Sequence, residues 1–313
     1  MNAFHGPRWV HGTCLNVDVQ PGEGTPLLLC NGIGANLELL QPVVDDLRAR
    51  PGRRIPVIRF DMPGAGGSPA TRLPRRMPRL ARMLADLVTD LGYDEVDVLG
   101  ISWGGALAQE FAYRNPSLCR RVVLCATSMG MVMIPARPSV LLTLASPLRY
   151  FGPRHMHETG RRIYGGGFGS DPGFAARFAM HTRAPDPVGY YWQIAASVGW
   201  TSVHYLPRLP QRVLLVASDD DPIIPTVNAH LMARLLRHGR VHIVRGGGHL
   251  ALLTHADEVV PLIHDFLTDG ERRAEPPPVP PEPRDPRTGP PDGDNPVVLM
   301  TDIRIPHRQG DIL

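Results

Sequence analysis

Residues 98–105 are Val98-Leu99-Gly100-Ile101-Ser102-Trp103-Gly104-Gly105, and the five from Gly100 to Gly104 fit the pattern G-x-S-x-G. The apolar run 96–99 in front of it reads as a buried strand, and residues 106–112 behind it read as a helix. A serine on so sharp a turn between strand and helix sits in strained backbone, and a glycine two residues away on each side makes room for it. The turn lifts the hydroxyl out of the sheet and aims the first amides of the helix at a developing negative charge. Five residues of pattern are a weak signal in a chain with 32 glycines, so the strand and helix flanks carry the weight.

The neighbouring segments extend the same architecture. Residues 8–19 alternate loosely, as an opening hairpin does. Residues 27–31 and 55–60 are short apolar strands. Each runs into a glycine-bearing loop, Asn31-Gly32-Ile33-Gly34 and Asp61-Met62-Pro63-Gly64-Ala65-Gly66-Gly67-Ser68. Helical periodicity covers 37–50 and 79–91, and 121–126 is the next strand. Strands alternating with helices at this spacing predict a mostly parallel central sheet flanked by helices, with right-handed crossovers. The rhythm stops after Thr127. It resumes with a strand at 212–217, a helix at 226–236, a strand at 241–244 and a helix at 256–267. The expected organisation is therefore an α/β core of residues 1–128 and 206–270, with residues 129–205 inserted as a helical lid. A lid after a strand sits over the C-terminal end of the sheet, where open α/β sheets bind ligands. From 271 to 313 the chain is rich in proline and charge. Pro276-Pro277-Pro278-Val279-Pro280-Pro281 suits neither a helix interior nor a central strand, so this part is expected to be a disordered tail.

Composition narrows the function. The 33 basic residues, all arginine, exceed the 30 acidic ones by three, and no basic run has interleaved aromatics, which argues against a nucleic-acid partner. The N-terminus has no apolar core of signal-peptide length and no stretch is apolar enough to span a membrane, so the cytosol is the expected location. Cys30 and Cys125 lie in apolar strand-like runs and read as buried free thiols. With Cys14 and Cys119 they show no metal-site or disulfide spacing. His155 and His157 have no acidic or cysteine partner close by in sequence, so neither a metal nor any other cofactor is expected.

A serine nucleophile needs a base, and the base needs an acid to orient it. On a doubly wound sheet these follow in the order Ser, acid, His. After the late strand come Asp219-Asp220-Asp221-Pro222, and after the last strand Arg245-Gly246-Gly247-Gly248-His249. The expected triad is Ser102, Asp221 and His249, with Asp219 and Asp220 as turn or capping residues. Trp103, directly after the nucleophile, supplies one oxyanion amide, and Ile33, between Gly32 and Gly34, is placed to supply the other. Asp61 reads as a loop organiser, His242 as structural, and His255 and His264 as solvated or capping residues flanking the last helix. Met131, Met133, Leu141, Leu142, Tyr190, Tyr191 and Trp192 are the candidate lid residues for an apolar substrate.

Several of these segments resemble the intracellular poly(3-hydroxyalkanoate) depolymerases of the α/β-hydrolase fold. They are Leu29-Cys30-Asn31-Gly32-Ile33-Gly34-Ala35-Asn36, the elbow with its helix to Gln109, and Asp219-Asp220-Asp221-Pro222. Within the lid they are Ile163-Tyr164-Gly165-Gly166-Gly167-Phe168, Gly189-Tyr190-Tyr191-Trp192-Gln193 and Gly199-Trp200-Thr201-Ser202. The likeness runs from about residue 8 to 268, and the lid segments are its specific part. The resemblance implies the triad Ser102, Asp221 and His249, oxyanion donors Ile33 and Trp103, and a medium-chain-length polyester as substrate. It leaves the tail without a counterpart and open to a granule-targeting role. A general carboxylesterase or other serine hydrolase, an acyltransferase, and a non-catalytic granule-binding protein on the same scaffold stay open as alternatives. Oligomeric state is not readable.

Overall fold

The structure is a computed structural model that describes residues 3–150, 158–160, 162–168 and 172–269. The expected tail at 271–313, and His155 and His157, lie outside the described residues. Eight strands form one sheet: β1 (Phe4–Val10), β2 (Thr13–Gln20), β3 (Leu27–Cys30), β4 (Val57–Phe60), β5 (Val96–Ile101), β6 (Cys119–Cys125), β7 (Arg212–Ser218) and β8 (Gly239–Val244). Their order is β1-β2-β4-β3-β5-β6-β7-β8. β2 pairs antiparallel with β1 and β4, and every other pairing is parallel.

The central strands are continuous apolar runs because both faces are covered. Alternate residues serve opposite layers. Leu28, Val98, Val122 and Leu215 pack with Leu84 and Leu87 of α2 (Met77–Asp90), Phe111 of α3 (Trp103–Arg114) and Met232 of the helix Val227–Leu235. Leu27, Leu99, Val123 and Leu214 pack with Val44 and Leu47 of α1 (Gln41–Ala49) and with Val259 and Ile263 of the last helix, Ala256–Thr268. The helix expected over 37–50 begins as a separate 3-10 turn, Leu37–Leu40, and becomes α-helical at Gln41, with Pro42 in its first turn. Asp61 holds that turn, its Oδ1 accepting from the Leu37 amide at 2.7 Å. His264 is buried inside the last helix rather than solvated at its flank.

Between β6 and β7 run, among other helical turns, α4 (Pro138–Leu144), α5 (Pro172–His181) and α6 (Pro187–Ser197). Val140, Tyr164, Phe168, Phe174 and Phe178 form a third apolar cluster with Ala35, Leu39 and Leu250 from loops of the core. The segment between β6 and β7 thus packs on the loops that follow the parallel strands. Among the described residues no helix is long and apolar enough to cross a membrane.

The turn from β5 into α3 is tight. Ser102 has φ 54° and ψ −119°, which L-residues rarely adopt. A Cβ on Gly100 would stand 2.3 Å from the Gly104 carbonyl oxygen, and one on Gly104 would stand 2.1 Å from that of Cys30 and 2.4 Å from that of Asn31. These are backbone atoms and cannot swing aside. Gly104→Ala is expected to cost about 2–3 kcal/mol through overpacking, read as a melting temperature lowered by roughly 5–10 °C. An unchanged melting curve would show that helix and sheet can separate without penalty.

Candidate active site

The expected triad residues follow three strand ends. Ser102 comes directly after β5, its amide donating to the Cys125 carbonyl at 2.9 Å and its own carbonyl accepting from the Thr127 hydroxyl at 2.7 Å. The aspartate triplet follows β7, and its members part company. Asp219 Oδ1 accepts from the Gly246 amide at 2.7 Å, and Asp220 Oδ2 from the Gly166 amide at 2.8 Å. Both carboxylates therefore organise loops. Asp221 Oδ1 accepts from the amides of Ile223 and Ile224 at 2.8 and 2.9 Å. Its Oδ2 faces His249 Nδ1 at 2.8 Å. This pair is desolvated, with 1% of the aspartate and 6% of the histidine side chain exposed. The backbone of His249 is fixed as well, its amide donating to the Tyr164 carbonyl at 2.6 Å. Because Nδ1 is engaged by the carboxylate, Nε2 is the nitrogen left for a reacting group.

Ser102 and His249 line one cavity of about 370 Å³, together with Gly32 and Ile33 from the loop after β3. Its remaining wall is mostly apolar and includes Leu39, Leu144, Phe178, Ile194 and Ile223, with Ser197 among them. Trp103 opens α3, where the first amides of a helix have no carbonyl of their own helix behind them. The Ile33 loop and Trp103 are held from the inserted segment. Tyr150 donates its hydroxyl to the Ile33 carbonyl at 2.6 Å. Gln193 accepts from the Gly34 amide through Oε1 at 2.9 Å, and its backbone carbonyl accepts from the Trp103 indole N–H at 2.8 Å. The Gln193 Nε2 is buried without a partner among the described residues, a cost that these two bonds offset.

Neither Tyr150 nor Gln193 was singled out as a functional residue by the sequence reading. A buried glutamine in an otherwise apolar helix was the available signal for Gln193; Tyr150 gave none. Asp61 acts as a loop organiser, accepting from the Leu37 and Gly67 amides and the Asn16 side chain, while burial pushes its carboxyl above the usual range.

The structure sets five of the expected substrate-contacting residues outside this cavity. None of Met131, Met133, Tyr190, Tyr191 and Trp192 lines the cavity. Met131 is 66% exposed, beside the bridge between Gly130 and Thr201. Met133 places its sulfur against the Ser128 hydroxyl. Tyr190 is fully buried and donates to the Leu144 carbonyl at 2.6 Å, so it backs the wall instead of facing the cavity. Tyr191 is half exposed, and Trp192 sends its indole N–H to the Thr71 carbonyl at 3.0 Å. Their polar handles pull these rings to carbonyls or solvent, and the cavity is lined by aliphatic side chains together with Tyr150, Tyr164 and Phe178. Leu141 is among them, whereas Leu142 points to solvent.

Residues 25–256 match the alpha/beta hydrolase fold family. The poly(3-hydroxyalkanoate) depolymerase of Ectopseudomonas oleovorans is 46% identical over 258 residues, which cover 82% of this chain and 89% of that one. The 2-hydroxymuconate semialdehyde hydrolase of Pseudomonas putida is 26% identical over 264 residues, covering 80% and 89%. Among solved structures, the enol-lactonase from Burkholderia xenovorans LB400 matches with a TM-score of 0.72 at 22% identity, over 84% of this chain and 100% of that one. A thermophilic esterase from Thermogutta terrifontis matches with a TM-score of 0.70 at 22% identity, over 85% and 98%. At these identities the structural likenesses speak for the fold.

Proposed function

The chain belongs to the α/β-hydrolase fold family, and we propose that it is a serine esterase cleaving poly(3-hydroxyalkanoate) of medium side-chain length. The observation that carries the reading is the meeting of Ser102 and a carboxylate-backed His249 on one apolar cavity. The 46% identity to a poly(3-hydroxyalkanoate) depolymerase supports the choice of polyester. Residues 129–205 act as a cap over the core in this reading, and the enzyme works in the cytoplasm at the surface of its insoluble substrate.

In this reading each residue has one role. Ser102 Oγ attacks the ester carbonyl while His249 Nε2 takes its proton. Asp221 holds the imidazole in the productive tautomer and stabilises the imidazolium. The amides of Ile33 and Trp103 receive the oxyanion. His249 then returns the proton to the departing 3-hydroxyl of the polymer, leaving an acyl-enzyme. Water, activated by the same imidazole, frees the 3-hydroxy acid and restores Ser102. The chain's own residues account for every proton in this sequence. Tyr150 and Gln193 serve as positioning residues, holding the two donor segments in register.

Asp221→Asn is expected to lower kcat by about 10⁴-fold, whereas Asp219→Asn and Asp220→Asn, each keeping an acceptor for its loop amide, should fall by less than tenfold. Steady-state kinetics on a soluble ester with the three variants decides the assignment; a larger loss at Asp219 or Asp220 would overturn it.

Gln193→Met removes the acceptor for Gly34. A displacement of the donor loop by a fraction of an ångström should lower kcat by roughly 10–100-fold with KM nearly unchanged. A rise in KM at constant kcat would instead make Gln193 part of substrate binding.

Purified protein incubated with poly(3-hydroxyoctanoate) should release 3-hydroxy acids faster than from poly(3-hydroxybutyrate), with Ser102→Ala as the inactive control. On soluble esters, each methylene buried in the cavity should raise kcat/KM by roughly fourfold until the cavity is full. Leu144→Trp, which narrows the wall, should move that limit to shorter acyl chains. A flat profile, or preference for the short-chain polymer, would favour a general esterase.

A further inference from the structure

Residues 71–85 contain Arg72, Arg75, Arg76, Arg79 and Arg82 and no acidic residue. The fold turns this run into a continuous basic face. Arg75, just before α2, and Arg79 and Arg82, in its first two turns, line a cleft of about 440 Å³ together with Arg114 from the end of α3 and His11 from the turn between β1 and β2. A second cleft of about 510 Å³ shares Arg75 and Arg79 and extends to Arg72, Leu73 and Trp9. Trp9 and Leu73 are 72% and 75% exposed.

The face is short of counter-ions. Asp86 is engaged with His11, and Glu110 with Arg114. Among the described residues no carboxylate lies within ion-pair distance of Arg72, Arg75, Arg76, Arg79 or Arg82. Arg75 is held below the usual guanidinium range by burial and by the charge of Arg79. Cations at the first turn of a helix also oppose its dipole, and α2 begins without a side-chain cap. This crowding costs stability with no internal gain, whereas a surface bearing many negative charges would relieve it.

The form of the face selects the partner. The guanidinium groups are spread over two clefts instead of converging on a single point, which suits a field of headgroups better than one small anion. Trp9 and Leu73 stand out beside them, and an exposed indole and an aliphatic side chain next to arginines are what an interfacial binding surface requires. A single-stranded nucleic acid would call for several stacking rings, and the residues lining the two clefts offer the Trp9 indole and a His11 imidazole that is engaged with Asp86. We propose that the face formed by Trp9, Leu73 and the arginines of residues 72–82 docks the protein on an anionic phospholipid surface. Thr71, next to Arg72, accepts the Trp192 indole N–H of α6. Docking would therefore bring the inserted segment that covers the cavity alongside the interface.

The test uses the full chain and vesicles of phosphatidylcholine alone or mixed with phosphatidylglycerol, with binding read by co-sedimentation at low and high salt. The protein should sediment with the anionic vesicles at low salt, be released at high salt, and ignore the neutral ones. Each arginine near such a surface contributes about fivefold in affinity, so the triple variant R75Q/R79Q/R82Q should bind roughly a hundredfold more weakly. Trp9→Ala should weaken binding several-fold and leave the salt dependence as it was. Neither variant should lower the melting temperature or soluble-ester hydrolysis, and the triple variant, relieved of the crowding, should melt at or above the wild-type temperature, which separates loss of docking from loss of fold. Equal binding to neutral vesicles, or wild-type binding by the triple variant, would overturn the proposal. So would retention of inorganic phosphate or an oligonucleotide without any binding to anionic vesicles.

Discussion

The site rests on one steric constraint, the approach of the first turn of α3 to the end of β3. With hydrogen in place of a side chain at Gly104, the helix settles onto the carbonyls of Cys30 and Asn31. That descent forces Ser102 into its positive-φ conformation, at a cost of order 1–3 kcal/mol. The bonds from its amide to Cys125 and to its carbonyl from Thr127 hold it there. The same approach sets the loop after β3 beside the serine, so that a Cβ on Gly32 would lie 3.8 Å from the Ser102 Cβ. One close contact therefore places the nucleophile candidate and both proposed oxyanion segments together.

How much of this was legible in the sequence depended on the range of the interactions involved. The central strands were readable because burial on both faces leaves an uninterrupted apolar run, and β5 through Ser102 to α3 fell where the pattern put it. His249 and the aspartate triplet were readable from chain order along a parallel sheet. The choice within the triplet is a different matter. Asp219, Asp220 and Asp221 carry the same side chain, and the direction each takes is fixed by what meets it: the Gly246 amide, the Gly166 amide, and His249. The lining of the cavity is not legible in the sequence for a similar reason. Size and hydrophobicity pointed to Tyr190, Tyr191 and Trp192. Their position on α6 and their need for hydrogen-bond partners took them elsewhere, and Ile194 of the same helix lines the cavity. Tyr150 and Gln193 act on backbone atoms far away in sequence, and no local pattern records that.

The inserted segment is coupled to the core at the places where chemistry is expected. Tyr150 lines the cavity and bonds the Ile33 carbonyl. Gln193 bonds Gly34 with its side chain and Trp103 with its backbone. Tyr164 gives its carbonyl to the His249 amide. A displacement of this segment is therefore felt at the two loops and the imidazole together. The same segment both lines the cavity and bonds the loops that carry the expected site residues.

The use of arginine separates internal structure from exposed surface. With no lysine, every fixed side-chain cation in the chain is a guanidinium, and those inside the fold are matched. Arg59 is buried against Asp18 and the Leu37 carbonyl. Arg48 donates to the carbonyls of Pro21 and Ile55. Arg120 pairs with Asp97 and reaches the Leu267 carbonyl, and Arg121 reaches those of Phe266 and Asp269, so both complement the negative end of the last helix. Against that economy the α2 arginines differ in kind. They stand at the positive end of a helix, close to one another, and the hydrogen bond of Arg75 goes to a sulfur, Met83 Sδ at 3.4 Å. A guanidinium that stabilises a fold takes carbonyls and carboxylates from that fold. One left with its donors directed outward, beside an exposed indole, is arranged for acceptors that come from outside the chain.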